Sequence, residues 1–154
     1  MACPYFHPTK RVFVRLWPHP ARLPLGSGFE GLCRAREGEA VEPGELALRD
    51  WCNLGYAAGG CARFPAGAPD AVRFAVARDA GGLVVIHYVV EQGHRPHSHG
   101  ELEYERSRRA FRHPPQDTTL ARQAQVYVEN YLRLSHDTQN RKGIAVGTLR
   151  AGPA

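Results

Sequence analysis

The chain has 154 residues, of which 43% are hydrophobic and 23% are charged, a balance typical of one folded domain and not of a disordered chain. The formal net charge is +5, but the basic residues are mostly scattered arginines without aromatic neighbours, so charge alone does not favour a nucleic-acid partner. No apolar run approaches the roughly 20 residues of a transmembrane helix, and no signal region precedes the first cysteine. We therefore expect a cytoplasmic protein without membrane contact, whose thiols stay reduced.

The first 69 residues are rich in proline and glycine and contain all four cysteines. Proline stops long helices and interrupts strands, so little regular structure is expected here. A metal centre is the expected source of order in such a region. One short helix is predicted to begin at the Pro-Gly-Glu sequence at 43–45 and to end at Gly55, which places Cys52 at its C-terminal end.

From residue 70 onward the sequence becomes periodic. Alternating apolar residues at 72–76 predict a half-buried strand, and the largely apolar run LVVIHYVV at 83–90 predicts a central strand. A turn is predicted at 93–100, and a third strand is predicted from residue 102 towards Phe111. These elements form an antiparallel meander.

A long helix is predicted after Pro114 and Pro115, with Asp117 or Thr118 as its cap. One apolar face would cover the sheet, formed by Leu120, Ala124, Tyr127, Val128, Tyr131 and Leu134. Residues 136–154 have no periodicity and are predicted to be a mobile tail.

Val126 and Leu132 lie off that face of the helix. They would either offer a contact to a second copy or pack under the N-terminal region, and we favour the second arrangement and hence a monomer over a homodimer.

These patterns predict an α+β fold with three parts: an irregular Cys-rich N-terminal half around a metal centre, a small antiparallel β-meander, and one long C-terminal helix. We expect a single domain over residues 1–135. It divides into a cluster-binding region at 1–69 and a sheet with its helix at 70–135, and it is followed by the tail at 136–154.

The cysteines have the pattern C-x29-C-x18-C-x8-C, at Cys3, Cys33, Cys52 and Cys61. Four cysteines with none left over in a cytoplasmic protein predict one tetrathiolate site, which holds either Zn²⁺ or an iron–sulfur cluster. Structural zinc sites are usually built from close C-x2-C pairs, and none occurs here. Wide and unequal spacing favours a cluster, and we prefer 4Fe-4S because the short plant-type spacing of 2Fe-2S proteins is absent.

A resemblance supports this assignment. The segments CPYF at 3–6, Cys33 and CNLGYAAGGCARFP at 52–65, followed by DAVRFAVA at 70–77, resemble a bacterial four-cysteine family with no assigned activity. That family shares CPYF, an isolated cysteine, CNxGYA and CxRFP, a short sheet and an LARQA-type helix. The likeness covers roughly residues 1–135. The resemblance implies that the four cysteines belong together as cluster ligands, and it implies no particular reaction.

Histidines form a second candidate metal site. His94, His97 and His99 lie in the predicted turn, and His87 lies on the strand before it. A His-x-His pair can bind zinc or nickel, but polar turns often collect histidines, and no acidic or cysteine partner is fixed by spacing. His7, near the first cysteine, is interpreted as an ordinary loop histidine.

The leading hypothesis is a small iron–sulfur protein that transfers electrons or senses redox state together with an unidentified redox partner protein, and we favour such a carrier or sensor over an enzyme. The first alternative is a structural tetrathiolate zinc module that binds a protein or nucleic acid. The second is an enzyme whose pocket lies between the sheet and the C-terminal helix. Because Cys3 must be recruited from the chain terminus, loop-closure entropy predicts that it is the weakest of the four ligands.

Overall fold

The computed structural model describes residues 1–12 and 23–146, with side chains up to residue 137. In these ranges the chain forms two antiparallel sheets and two helices, which confirms the predicted α+β class. None of the helices there combines the length and the apolar character needed to cross a bilayer. The elements are β1 (Phe6–Val12), β2 (Gly28–Cys33), α1 (Glu45–Ala47), β3 (Ala71–Ala80), β4 (Leu83–Gln92), β5 (Arg95–Glu105), β6 (Ala110–Phe111) and α2 (Thr118–Val146).

The larger sheet has the order β3-β4-β5-β6, so the apolar strand β4 is central, as predicted. The turn predicted within 93–100 is present but short, because Gly93 and His94 form it and β5 already begins at Arg95. Pro96 lies where the register between β4 and β5 shifts, and a bulge is one of the places where a sheet tolerates proline. The chain then turns back after β5, so Phe111 lies on the separate strand β6, opposite Tyr104.

Helix α2 begins where the sequence predicts. The Asp117 carboxylate accepts hydrogen bonds from the backbone N–H groups of Thr119 (2.7 Å) and Leu120 (3.0 Å), which is an N-cap. The helix continues to Val146, so the predicted tail is wrong for residues 136–146. Propagation from an established helix needs no apolar face, only residues that allow helical geometry. Residues 147–154 lie outside the described part of the chain.

The buried surface of α2 is wider than the predicted face. Tyr127 stacks on Phe74 of β3 with ring centroids 5.4 Å apart, whereas Leu134 is 47% exposed. Val126 is only 2% exposed and lines a groove together with Thr9 and Phe29 of the smaller sheet. Val126 is therefore covered by the N-terminal region, as favoured above.

The N-terminal half is more regular than predicted. Strands β1 and β2 pair from Phe6 opposite Cys33 to Val12 opposite Gly28, and this sheet was not predicted. The predicted helix does begin at Glu45, but it passes into a π-helical turn (Leu48–Cys52) and ends there. Prolines 18 and 20 of the predicted irregular region lie outside the described residues.

Candidate metal centre

The four cysteines come from four different segments of the chain and line one cavity. Cys33 is the last residue of β2 and Cys52 is the last residue of the π-helical turn. Cys3 precedes β1, and Cys61 lies in the bend that follows Cys52. All four are free thiols, three of them buried and Cys61 half-buried. The structure thus places all four cysteines of the predicted site on the walls of one cavity.

Backbone hydrogen bonds hold the Cys3 segment in place. Ala2 pairs with Val72 of β3 through two bonds of 2.8 Å, and the Cys3 N–H donates to the carbonyl of Cys52 (3.1 Å). The two cysteines are therefore neighbours through the main chain, independently of anything that their thiols bind. Cys33 is fixed in a similar way, because its N–H and carbonyl both pair with Val41.

Asn53 links the strand that ends in Cys33 to the turn that ends in Cys52. Its side chain is 1% exposed. The amide oxygen accepts the Phe29 N–H (3.0 Å), and the amide nitrogen donates to the carbonyls of Phe29 (3.0 Å) and Leu48 (3.0 Å). Both backbone groups of buried Phe29 therefore depend on one side chain, while the Leu48 carbonyl also accepts the Asn53 N–H (3.3 Å). The sequence marks Asn53 only as the residue after Cys52 in the CN pair.

Gln123 of helix α2 also hydrogen-bonds buried backbone groups next to a cysteine. It is completely buried, and its amide nitrogen donates to the carbonyls of Cys3 (2.8 Å) and Phe6 (2.6 Å). These two bonds attach the turn that contains Cys3 to the helix. The signal that could have identified Gln123 is its position between the apolar residues Leu120 and Ala124 on the buried side of the helix.

The bend between Cys52 and Cys61 needs glycine for two different reasons. Gly55 has φ of 71°, a conformation that glycine adopts without cost, and a Cβ there would lie 2.9 Å from the Met1 carbonyl oxygen. Gly60 lies under the indole of Trp51, where a Cβ would be 2.8 Å from Nε1. Gly55 leaves space for the N-terminal segment, and Gly60 leaves space for the Trp51 indole that forms part of the cavity wall.

Tyr56 anchors the middle of this bend to the larger sheet. Its N–H donates to the Asp70 carbonyl (2.7 Å), and its hydroxyl donates to the buried carboxylate of Glu91 (2.6 Å). Burial and this bond to a carboxylate raise the pKa of Tyr56 to about 12. Ionisation of the phenol would break the bond and place two negative charges side by side.

The raised pKa of Tyr56 predicts a loss of stability in alkali. Because the pKa in the folded protein lies above the ordinary tyrosine value of 10.0, this contribution is complete below pH 10 and is lost between pH 10 and about 12. Urea unfolding at several pH values should show a smaller alkaline loss for Tyr56→Phe than for the wild type. Tyr5 and Tyr127 also have raised pKa values, but they are present in the wild type and in the Tyr56→Phe variant, so their effect cancels in the comparison. Equal pH dependence of the two proteins would contradict the prediction.

The cavity walls between the thiols are apolar and largely aromatic, and they include Phe6, Trp51 and Phe64. Burial raises the pKa of Cys3 to about 12, against the lowering effect of a backbone hydrogen bond at Tyr5. Burial and the three other thiols also raise the pKa of Cys52. Buried thiols of this kind stay neutral at pH 7 unless a cation compensates the thiolate charge, which is what a bound metal does.

Arg63 supplies one positive charge at this site. Its guanidinium forms an ion pair with Glu39 and lies close enough to the Cys33 thiol to interact with it electrostatically. A cation beside a sulfur ligand stabilises the thiolate and affects the potential of any redox group bound there. The sequence contains this residue in the CARFP segment, but nothing in the spacing connects it with Cys33.

The four thiols are suitable ligands for a metal group, but the cavity between them limits the size of that group. The free volume inside the cavity is about 20 Å³, room for about one water or one ion. A larger group therefore requires one wall to move outward. The bend can do this, because residues 58–60 are exposed and a Cβ at Gly59 would meet nothing within 4 Å. Among residues 1–12 and 23–146 no three His, Cys, Asp or Glu side chains are already arranged to hold a metal ion.

The histidines of the second candidate site do not converge. His94 stacks on Tyr56 with centroids 4.3 Å apart, and His87 forms a hydrogen bond with Glu101 (3.0 Å). His97 and His99 are exposed on β5. Because each of the first two is engaged by a different partner, the histidines do not act as one ligand set.

The fold and the cavity define an α+β domain in which four free cysteines line one small cavity. Comparison of the chain with protein-family models, with curated proteins and with solved structures finds no match. The resemblance to the bacterial four-cysteine family therefore stays a prediction that rests on the motifs quoted above.

Proposed function

We propose that Cys3, Cys33, Cys52 and Cys61 bind a 4Fe-4S cluster and that the protein transfers electrons or senses redox state. The observation that supports this most is the convergence of four free thiols, from four separate segments, on one apolar cavity. When bound, such a cluster supplies reversible one-electron chemistry. With four thiolates available, every ligand position can be filled by protein, which leaves none for a substrate.

The chain itself would determine how such a centre behaves. Phe6, Trp51 and Phe64 limit the access of water, which affects both the potential and the oxygen sensitivity of an iron–sulfur site. Cys61 is the only half-buried thiol of the four, so the bend around it would give an electron the shortest path from the centre to a partner protein. The positive charge of Arg63 near Cys33 would favour the state of the centre with more negative charge.

A structural zinc site is the alternative, and one observation favours it. The free volume of about 20 Å³ suits a single ion better than a cluster of eight atoms. The four thiols would then have to close around one point, since a tetrahedral zinc–thiolate site has sulfurs less than about 4 Å apart. The protein would in that case be a binding module stabilised by metal and not a redox protein.

Metal analysis of protein purified and reconstituted without oxygen separates the two functions. We expect about four iron and about four acid-labile sulfide per chain, with a broad visible absorption that is lost on reduction, as four cysteine ligands imply. A colourless protein with one zinc and no sulfide would contradict the cluster and support the zinc module. A protein that binds neither metal would contradict both.

A further inference from the structure

A second cavity, of about 270 Å³, lies between the larger sheet and helix α2. We propose that this cleft is a binding site for a small uncharged aromatic molecule that carries O–H or N–H donors. The cleft is separate from the thiol cavity, and its size is close to the lower end of the range for small-molecule sites, which suits one or two rings.

The walls of the cleft favour a flat apolar ring. Two prolines, Pro4 and Pro69, form part of them, and Val72 and Val90 contribute from β3 and β4. The ring of Tyr88 completes this side. Gly100 lies opposite Tyr88 in the sheet, and a Cβ there would be 2.7 Å from the Tyr88 hydroxyl oxygen. The missing side chain of Gly100 is therefore what allows the Tyr88 ring to lie across β5.

Gln123 provides a polar group whose second atom is unused. Its amide nitrogen donates to two carbonyls, and since carbonyls only accept, this fixes the orientation of the amide. The Oε1 atom then faces away from those carbonyls. It is buried and has no hydrogen-bond partner among the described residues. A buried acceptor without a partner is costly, and a ligand donor within the cleft that Gln123 lines would satisfy it.

The charge of the cleft selects against anions. Asp117 lines it with a carboxylate and His97 with an imidazole, and none of the described residues that line it is lysine or arginine. A phosphate or carboxylate ligand would face the carboxylate without a permanent cation to compensate it. The hydroxyls of Tyr88 and Ser98 can each donate or accept a hydrogen bond, so they do not distinguish ligands that carry donors from ligands that carry acceptors. Donor-bearing, uncharged aromatic molecules are the class that remains.

The cleft and the thiol cavity share one side chain. Tyr5 lines both, and Gln123 of the cleft is bonded to the carbonyl of Cys3. A molecule in the cleft would therefore lie next to the metal centre proposed above. Binding does not require that centre, so the inference can be tested whichever metal the protein contains.

The test is an amide NMR titration of the full-length protein with resorcinol, which has one ring and two O–H donors. We expect saturable shift changes that are concentrated in residues 88–90, 97–98 and 117–123. The matched ligand 1,3-dimethoxybenzene has the same ring without donors and should bind at least about tenfold more weakly, because it leaves the buried acceptor unsatisfied. Benzoate, with the same ring and a negative charge, should bind more weakly than resorcinol.

Two variants locate the binding site. Val90→Phe fills the cleft and should weaken resorcinol binding at least about tenfold, whereas Val89→Phe lies on the opposite face of β4 and should leave it unchanged. The proposal would be overturned by non-saturable shifts, by equal binding of the dimethoxy compound or of benzoate, or by equal binding to the Val90→Phe protein. The ligand comparison uses wild-type protein, so it remains decisive if Val90→Phe does not fold.

Discussion

The Asn53→Ala variant is expected to lose about 3 to 5 kcal/mol of unfolding free energy, because both backbone groups of buried Phe29 lose their partner and the Leu48 carbonyl loses one of its donors. The three bonds lost join the Asn53 amide to the Phe29 N–H and to the carbonyls of Phe29 and Leu48, each 3.0 Å long. Of these groups, the Leu48 carbonyl still accepts the backbone N–H of residue 53. Small domains have only about 5 to 15 kcal/mol of stability in total. The variant should therefore be close to unfolding at room temperature, which urea titration followed by circular dichroism would measure.

The neighbouring Leu54→Ala variant is the matched control. Leu54 is 40% exposed and belongs to the same turn, so its truncation should cost less than about 1 kcal/mol. If Asn53→Ala is no less stable than Leu54→Ala, the three hydrogen bonds do not hold β2 against the turn.

The same variant should also bind less metal. Asn53 joins the end of the π-helical turn to β2, so its loss allows Cys52 and Cys33 to separate. The metal content of the Asn53→Ala protein should fall below that of Leu54→Ala, under conditions where both are folded. Equal metal content would show that the thiols position themselves independently of this amide.

The elements that could be predicted from the sequence are those with a strong local signal. Strand β4 is a continuous apolar run, and α2 has an N-cap at Asp117 followed by helical spacing of apolar residues. Strand β5 was found only in its second half, because the first half carries Pro96 and exposed polar residues. Its strand conformation comes from pairing with β4, which is a non-local contact that local sequence patterns do not report.

Strands β1 and β2 could not be predicted because each contains a residue that normally argues against a strand. Pro8 lies in β1 at a shift of register between Pro8 and Lys10, where an interruption of the ladder is tolerated. Glycine is needed at position 31 of β2, because a Cβ there would collide with the backbone carbonyl oxygen of His7 and would lie 2.8 Å from the Phe6 ring. Close packing required the small residue, and the sequence shows only the glycine.

That the four cysteines line one cavity could be predicted from their number, but the side chains that support them could not. Asn53 and Gln123 hold the thiol segments through backbone atoms that lie far away in the chain. Residue type and spacing carry no information about such bonds. The same limit applies to Arg63, whose partner Cys33 is 30 residues distant along the chain.

The order of importance of the four cysteines is expected to be the reverse of what loop length suggests. By chain distance, Cys3 should be the weakest ligand, because it must be brought from the terminus. In the structure that loop is already closed by the Ala2–Val72 pair, by the Cys3–Cys52 hydrogen bond and by Gln123. The ligand itself therefore has little closure entropy left to overcome.

Cys61 is the cysteine with the least support. It is half-buried, and its N–H donates to Ala57 within the same bend (2.9 Å). We therefore expect Cys61→Ala to keep a weaker and more oxygen-sensitive centre with about three iron atoms, held by the three buried thiols. Cys3→Ala and Cys52→Ala should hold little or no iron, because each removes a thiol from the rigid part of the site.

Anaerobic reconstitution of the single variants, with iron and sulfide measured per folded chain, tests this order. Circular dichroism before reconstitution shows whether each apo-protein has kept its sheet and helix, so that a folding defect is not counted as a ligand defect. If the Cys3→Ala protein holds as much iron as the Cys61→Ala protein, the backbone bonds at Ala2 and Cys3 do not preorganise the site. Loop length would then be the better guide, and ligand binding itself would have to close the N-terminal loop.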